Sequence, residues 1–198
     1  NNEVLKTIGR KHTAQQFFDA FELARKCGFD NINTDLIAGL PTDTTESFKN
    51  SLDSIVRLNA ECITVHTLCM KRASRLTTEG VTLDLQQARD AREMLAYTQN
   101  VLGQNEYIPY YMYRQSRMVG NLENVGWSKR GFESLYNVYV MDETHTILAC
   151  GSGGVTKLKR NNPDYLERIF NFKYPYEYID RFDELIQRKS GIMQFYGQ

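Results

Sequence analysis

Residues Phe29–Pro41 read F-D-N-I-N-T-D-L-I-A-G-L-P, and the fold turns on this stretch. Its centre is aliphatic and β-branched, and the Gly39-Leu40-Pro41 exit turns a chain out of a strand. Alternation along a strand puts Ile32, Thr34 and Leu36 on one face and Asn33, Asp35 and Ile37 on the other. A parallel strand covered on both sides normally reads as near-continuous apolar residues, so Asn33 and Asp35 are out of place. An unpaired carboxylate in such a strand is costly. Two readings follow for Asp35. It is a structural aspartate held by a neighbouring cation or donor, or its face looks into a cavity where a ligand supplies hydroxyls.

Upstream of the strand, Thr13 can cap a helix whose Ala14, Phe17, Phe18, Phe21 and Ala24 form one stripe, with Gly28 after its end. Downstream, a helix from about Thr44 to Leu58 carries Phe48, Leu52 and Ile55 at helical spacing. It feeds a second apolar strand from Cys62 to Cys69. Helix, strand, helix, strand is the rhythm of a parallel sheet. In the second strand Ile63, Val65, Thr67 and Cys69 share a face, opposite Thr64, His66 and Leu68. His66 is a core or surface histidine unless a partner says otherwise. Lys71, Arg72 and Arg75 follow the strand end, where parallel sheets hold ligands; three cations there are equally a solvated loop.

Beyond residue 80 the rhythm changes. A helix from about Asp84 to Leu102 ends at Gly103, and the aromatic run Tyr107–Arg114, Y-I-P-Y-Y-M-Y-R, is confined by Pro109 to an edge strand or extended loop. Asn121 to Trp127 is turn-rich. Ser134 to Met141 and Thr146 to Cys150 are β-rich and read as the arms of an antiparallel hairpin. The following C-G-S-G-G-V-T, Cys150 to Thr156, is neither a phosphate loop nor a dinucleotide fingerprint by its glycine spacing. By itself it reads as a tight turn. Pro175 to Ser190 reads as a charged amphipathic helix with Tyr178, Phe182, Leu185 and Ile186 inward.

Composition narrows the function classes. The 198 residues suffice for one good-sized domain or two small ones. With 24 Lys+Arg against 24 Asp+Glu, no net charge points to nucleic acid or a membrane surface. No apolar run is long enough to span a bilayer. Cys27, Cys62, Cys69 and Cys150 are scattered without metal-ligand spacing, which fits reduced thiols in the cytoplasm. The chain opens without an initiator Met, almost directly on an amphipathic helix, as the tail of something longer would.

Leu5 to His12 (L-K-T-I-G-R-K-H), the D-N-I-N-T-D-L-I-A-G-L-P strand, the following T-x-E-S-F and then I-T-V-H-T-L resemble one family. It is the latter half of the radical S-adenosylmethionine domain of oxygen-independent coproporphyrinogen oxidase-like proteins. Y-Y-M-Y-R-Q, G-N-L-E-N-V-G-W and C-G-S-G-G-V-T resemble the carboxy-terminal domain of the HemZ-type branch, coproporphyrinogen dehydrogenases. The resemblance implies an α/β fold: the last βα units of a partial, TIM-like radical S-adenosylmethionine barrel in residues 1–80. An α+β substrate-covering domain with an antiparallel hairpin follows in residues 81–198. Where the better-known enzyme has G-x-G-x-x-A-x-S after its hairpin, this chain has Gly154 and Thr156 at the small residue and the serine.

By the resemblance, Arg10 contacts the methionine carboxylate of S-adenosylmethionine, and Asp35 accepts from the ribose hydroxyls. Cys69 falls at a small family residue near the cofactor. Val155 matches an apolar position close to cofactor or substrate. The family's C-x-x-x-C-x-x-C motif for a 4Fe-4S cluster is not in the sequence, nor is the glycine-rich cofactor motif. The implied parent is an oxidoreductase of anaerobic haem biosynthesis. It converts coproporphyrinogen III to protoporphyrinogen IX by oxidative decarboxylation, and this chain is a fragment without activity of its own. Rival readings are a haem-binding or haem-delivery protein on the same fold and a non-catalytic remnant. An open sheet edge, with a face carrying Asn33, Asp35 and Thr67, is expected to be covered by a second copy or by one of the chain's own helices.

Overall fold

The computed structural model describes residues 1–69, 85–114, 118–160 and 165–197. They form two compact units, 1–133 and 134–198. Lys71, Arg72 and Arg75, the cations after the second strand, lie outside the described residues.

The first unit opens with helix α1, Asn2–Thr7, and α2, Ala14–Lys26. Thr13 caps α2 in a capping box: its hydroxyl accepts from the Gln16 N–H while the Gln16 side chain accepts from the Thr13 N–H. Strand β1, Asn33–Ala38, leads to α3, Thr45–Arg57, capped by the Thr44 hydroxyl accepting from the Ser47 N–H at 3.1 Å. Strand β2, Cys62–Thr67, then pairs with β1 in parallel, Asp35 opposite Thr64 and Ile37 opposite His66. Glu61 fixes where both strands start. One oxygen takes the Arg25 guanidinium of α2 at 2.7 Å and the other the Ile32 N–H at 3.0 Å.

The sheet continues past residue 80. Helix α4, Leu85–Gln104, is followed by β3, Ile108–Tyr113, and β4, Asn124–Ser128. The strand order is β1-β2-β4-β3, with β4 antiparallel to both neighbours. The mixed sheet is not closed into a barrel among the described residues. Pro109 sits on the edge strand, as its missing N–H requires. Residues 121–123 are turn as read, but from Asn124 the turn-rich reading of Asn121–Trp127 gives way to a central strand, and Gly126 is the reason. A Cβ there would lie 1.8 Å from Cε1 of Tyr111, so only glycine lets that ring cross the strand.

The two faces differ. Ile63, Val65, Ala38 and Trp127 meet Phe21 of α2, Phe48, Leu52 and Ile55 of α3, and Met94 and Leu102 of α4 in one buried core. The opposite face carries Asn33, Asp35, Thr64, His66, Tyr111 and Tyr113. The premise of a strand covered on both sides is therefore corrected. Asn33 and Asp35 are exposed, because β1 is an edge strand among the described residues and its helices cover only the other face.

The second unit contains α5, Leu135–Asp142, strands β5, Val155–Lys159, and β6, Leu166–Phe170, then α6, Pro175–Asp180, α7, Phe182–Lys189, and α8, Gly191–Tyr196. An antiparallel hairpin is present, with Val155 opposite Phe170, but its arms are not the expected ones. Residues 135–142 are a helix capped by Ser134, and Thr146–Cys150 contributes a single bridge, Ile147 to Lys157. The expected single helix over Pro175–Ser190 is divided into α6 and α7, and α8 follows it. Leu185 is buried as expected, whereas Phe182 and Ile186 are exposed.

Candidate functional site

The polar face of the first unit holds a connected set of side chains. Asn33 Nδ2 donates to Asp35 Oδ1 at 2.7 Å, and Thr64 Oγ1 donates to Asn33 Oδ1 at 3.0 Å. The Thr64 hydroxyl also meets the Tyr111 hydroxyl at 3.2 Å. On the other side of Asp35, His66 Nε2 lies 3.7 Å from Oδ2, and the Tyr113 hydroxyl is 3.4 Å from His66 Nδ1. Tyr111 and Tyr113 stack with ring planes 7° apart, and a bulge after Pro109 sets both on this face.

The electrostatics follow from these contacts. The His66 imidazole beside Asp35 holds its carboxyl below the ordinary carboxylate range, against partial burial and with help from Asn33. Burial pushes the Tyr111 and Tyr113 phenols up, so both are neutral donors at physiological pH. Asp35 is thus an anion with two supported oxygens, and its side chain is 60% exposed.

This face borders a cavity of about 1070 Å³ whose lining includes Arg10, His12, Asp35, His66, Cys69 and Tyr113. Ile37, Leu40 and Leu68 also line it, so it opens beside the carboxyl ends of β1 and β2, where parallel sheets place ligands. Of the residues singled out from sequence, Arg10, Asp35 and Cys69 share this cavity. Arg10 follows α1 and Gly9, whose φ of +75° turns the chain there. Cys69 is half-buried just past β2 and bridges Met118.

Val155 belongs to the second unit, where it opens β5. The glycine-rich turn before it is clamped: Asn171 Nδ2 donates to the Ala149 and Gly151 carbonyls, and Lys189 Nζ donates to Thr156 Oγ1 at 2.9 Å. Gly154 must be small, since a Cβ would press on Asn171 Nδ2 and the Cys150 carbonyl at 3.1 Å.

One grouping expected from the sequence is corrected. Asp35 shares its face with His66, not with Thr67, which faces the other way and donates to the Glu123 carbonyl at 2.9 Å. The signal was the parallel register, which fixes parity between strands and cannot be read from either strand alone. Sequence reasoning took Tyr111 and Tyr113 as part of an aromatic stretch suited to a flat macrocycle or to a core, and did not place them beside Asp35. Gly126 inside β4 was their trace.

Fit to a nucleoside ligand and to a metal cluster differ. A carboxylate facing a cavity with one lone pair free on each oxygen suits a vicinal diol, and a guanidinium on the same cavity suits a carboxylate. The four cysteines do not suit a cluster. Cys27 and Cys150 are exposed, Cys62 is buried against Ser128 and the Phe132 carbonyl, and no metal-holding group of His, Cys, Asp and Glu occurs among the described residues.

The sequence profile of the Radical SAM superfamily matches residues 1–55. More particularly, the chain is 38% identical over 98% of its length to the oxygen-independent coproporphyrinogen-III oxidase-like protein HemZ of Bacillus subtilis. It is 32% identical over 82% of its length to the heme chaperone HemW of Lactococcus lactis. The solved structure of coproporphyrinogen III oxidase (HemN) from Escherichia coli superposes on 93% of the chain with a TM-score of 0.63, at 19% identity. The chain spans 38%, 41% and 41% of these three proteins. It is thus similar over most of its length to oxygen-independent coproporphyrinogen oxidase-like proteins and to heme chaperones.

Proposed function

We propose that this chain supplies the ribose- and carboxylate-binding part of an S-adenosylmethionine site, in an oxidoreductase that decarboxylates a porphyrinogen. The observation that carries the reading is Asp35, a supported carboxylate facing a cavity that Arg10 also lines. When bound, S-adenosylmethionine supplies the hydrogen-abstracting chemistry of the superfamily. Asp35 accepts from the two ribose hydroxyls, Arg10 holds the methionine carboxylate, and Cys69 and Val155 pack against cofactor or substrate. Residues 1–80 supply the end of the barrel, whose sheet β4 and β3 continue. The cysteines of this chain hold no cluster, so residues 1–198 alone are inactive. The protein works in the cytoplasm without nucleic acid; no helix among the described residues is long and apolar enough to cross a membrane.

The 32% identity to a heme chaperone supports a second reading, haem delivery on the same fold. Anaerobic assay of the intact protein with S-adenosylmethionine and coproporphyrinogen III separates them. Loss of carboxyl groups from the porphyrinogen is expected. Stoichiometric haem binding without such loss would replace the enzyme by the chaperone.

A further inference from the structure

We infer that His66 is the positioning residue for Asp35: its Nε2–H, fixed by Tyr113 at the other ring nitrogen, points one carboxylate oxygen toward a ribose diol. This rests on the nucleoside reading of the cavity and adds a residue to it.

The chain of contacts sets the tautomer. The Thr67 N–H donates to Asn124 Oδ1 at 2.7 Å, which leaves the Asn124 amide to donate to the Tyr113 oxygen. The Tyr113 hydroxyl then gives its own proton to His66 Nδ1, 3.4 Å away. With Nδ1 accepting, the imidazole proton sits on Nε2, 3.7 Å from Asp35 Oδ2. Asn33 Nδ2 meanwhile holds Oδ1 at 2.7 Å. Oδ1 therefore has a hydrogen-bond donor in Asn33 and Oδ2 a close electrostatic neighbour in His66, and each keeps a lone pair for one of two adjacent hydroxyls. Without His66 only Oδ1 is anchored, and a half-exposed carboxylate on an edge strand is free to rotate. The lowered pKa of Asp35 has the His66 contact as its largest cause, which agrees with this geometry. The arrangement comes from the parallel register, which sets Asp35 against Thr64 and Ile37 against His66.

The test is calorimetry on the intact protein with S-adenosylhomocysteine and its 2′,3′-dideoxy counterpart. His66→Phe is expected to weaken S-adenosylhomocysteine by about fivefold, the worth of one polar contact acting through another group. It should leave the dideoxy ligand unchanged and add nothing in an Asp35→Ala background. His66→Ala covers the case in which the phenylalanine variant does not fold. In ¹⁵N-histidine spectra the wild-type imidazole should carry its proton on Nε2. An unchanged affinity, an equal loss with the dideoxy ligand or beside Asp35→Ala, or an Nδ1–H tautomer would overturn the assignment. If wild type and Asp35→Ala bind alike, the nucleoside reading itself fails, and that outcome is distinct from the others.

Discussion

Gly126→Ala tests the packing that shapes the polar face. The new methyl would stand 1.8 Å from Cε1, 2.4 Å from Cδ1 and 2.5 Å from Cζ of Tyr111. Ordinary contact needs about 3.5–4.0 Å, so the ring must shift by roughly 2 Å. It has nowhere easy to go. Tyr111 stacks on Tyr113, meets Tyr110 edge-on with centroids 4.8 Å apart, and bonds the Thr64 hydroxyl. Overpacking of this kind costs about 1–3 kcal/mol, and a lost aromatic pair adds about 0.5–1.5 kcal/mol. The expected total is about 3 kcal/mol, read as a lower midpoint in urea with unchanged slope. Gly126 has no positive φ, so the cost comes from the ring and not from the backbone. In a Tyr111→Ala background the same substitution should be close to neutral. Equal destabilisation in both backgrounds, or none in the wild type, would refute the reasoning.

Tyr107 and Glu61 yield opposite pH signatures, and the β1 edge a prediction about assembly. Burial pushes the Tyr107 phenol up from 10.0 to about 12, so its share of stability is intact below pH 10.0 and drains away as pH rises toward 12. Tyr107→Phe should flatten that alkaline limb and cost about 1 kcal/mol at neutral pH through the lost bond to the Ala60 carbonyl. An unchanged alkaline limb contradicts this. Burial alone would raise the Glu61 carboxyl, but Arg25 and the Ile32 N–H outweigh it and bring it below 4.5. Its contribution is present above pH 4.5 and lost as pH falls through the lowered value, so Glu61→Gln should be less sensitive to acid in chemical denaturation than wild type. Equal acid sensitivity would remove Glu61 from the account. Finally, β1 lacks an outer neighbour among the described residues, and residues 1–198 alone are expected to self-associate in light scattering. A stable monomer counts against this.

The helical and parallel part of the fold was legible because its signals are local. Thr13 and Thr44 stand at caps, and Phe48, Leu52 and Ile55 repeat at helical spacing, so α2, α3 and the strand after each could be placed. Leu135–Asp142 was misread because L-Y-N-V-Y-V-M-D has the β-branched and aromatic residues of a strand, while the Ser134 cap favours a helix. The core face of β1 was readable from alternation, yet the pairing of Asp35 with His66 depends on register between strands whose partners lie 29 residues apart in sequence. Asp35 stood out by alternation, Arg10 and Cys69 came from resemblance, and their common cavity could not be deduced from spacing.

The central claim is that this cavity takes the ribose and the methionine carboxylate of S-adenosylmethionine. Its most direct measurement is the affinity of the intact protein for that cofactor in wild type, Asp35→Ala and Arg10→Ala, by calorimetry. Each variant removes a hydrogen-bonded charge contact worth about 1.5–3 kcal/mol, so a loss of about ten- to a hundredfold is predicted for each. Unchanged affinity in both variants would contradict the account.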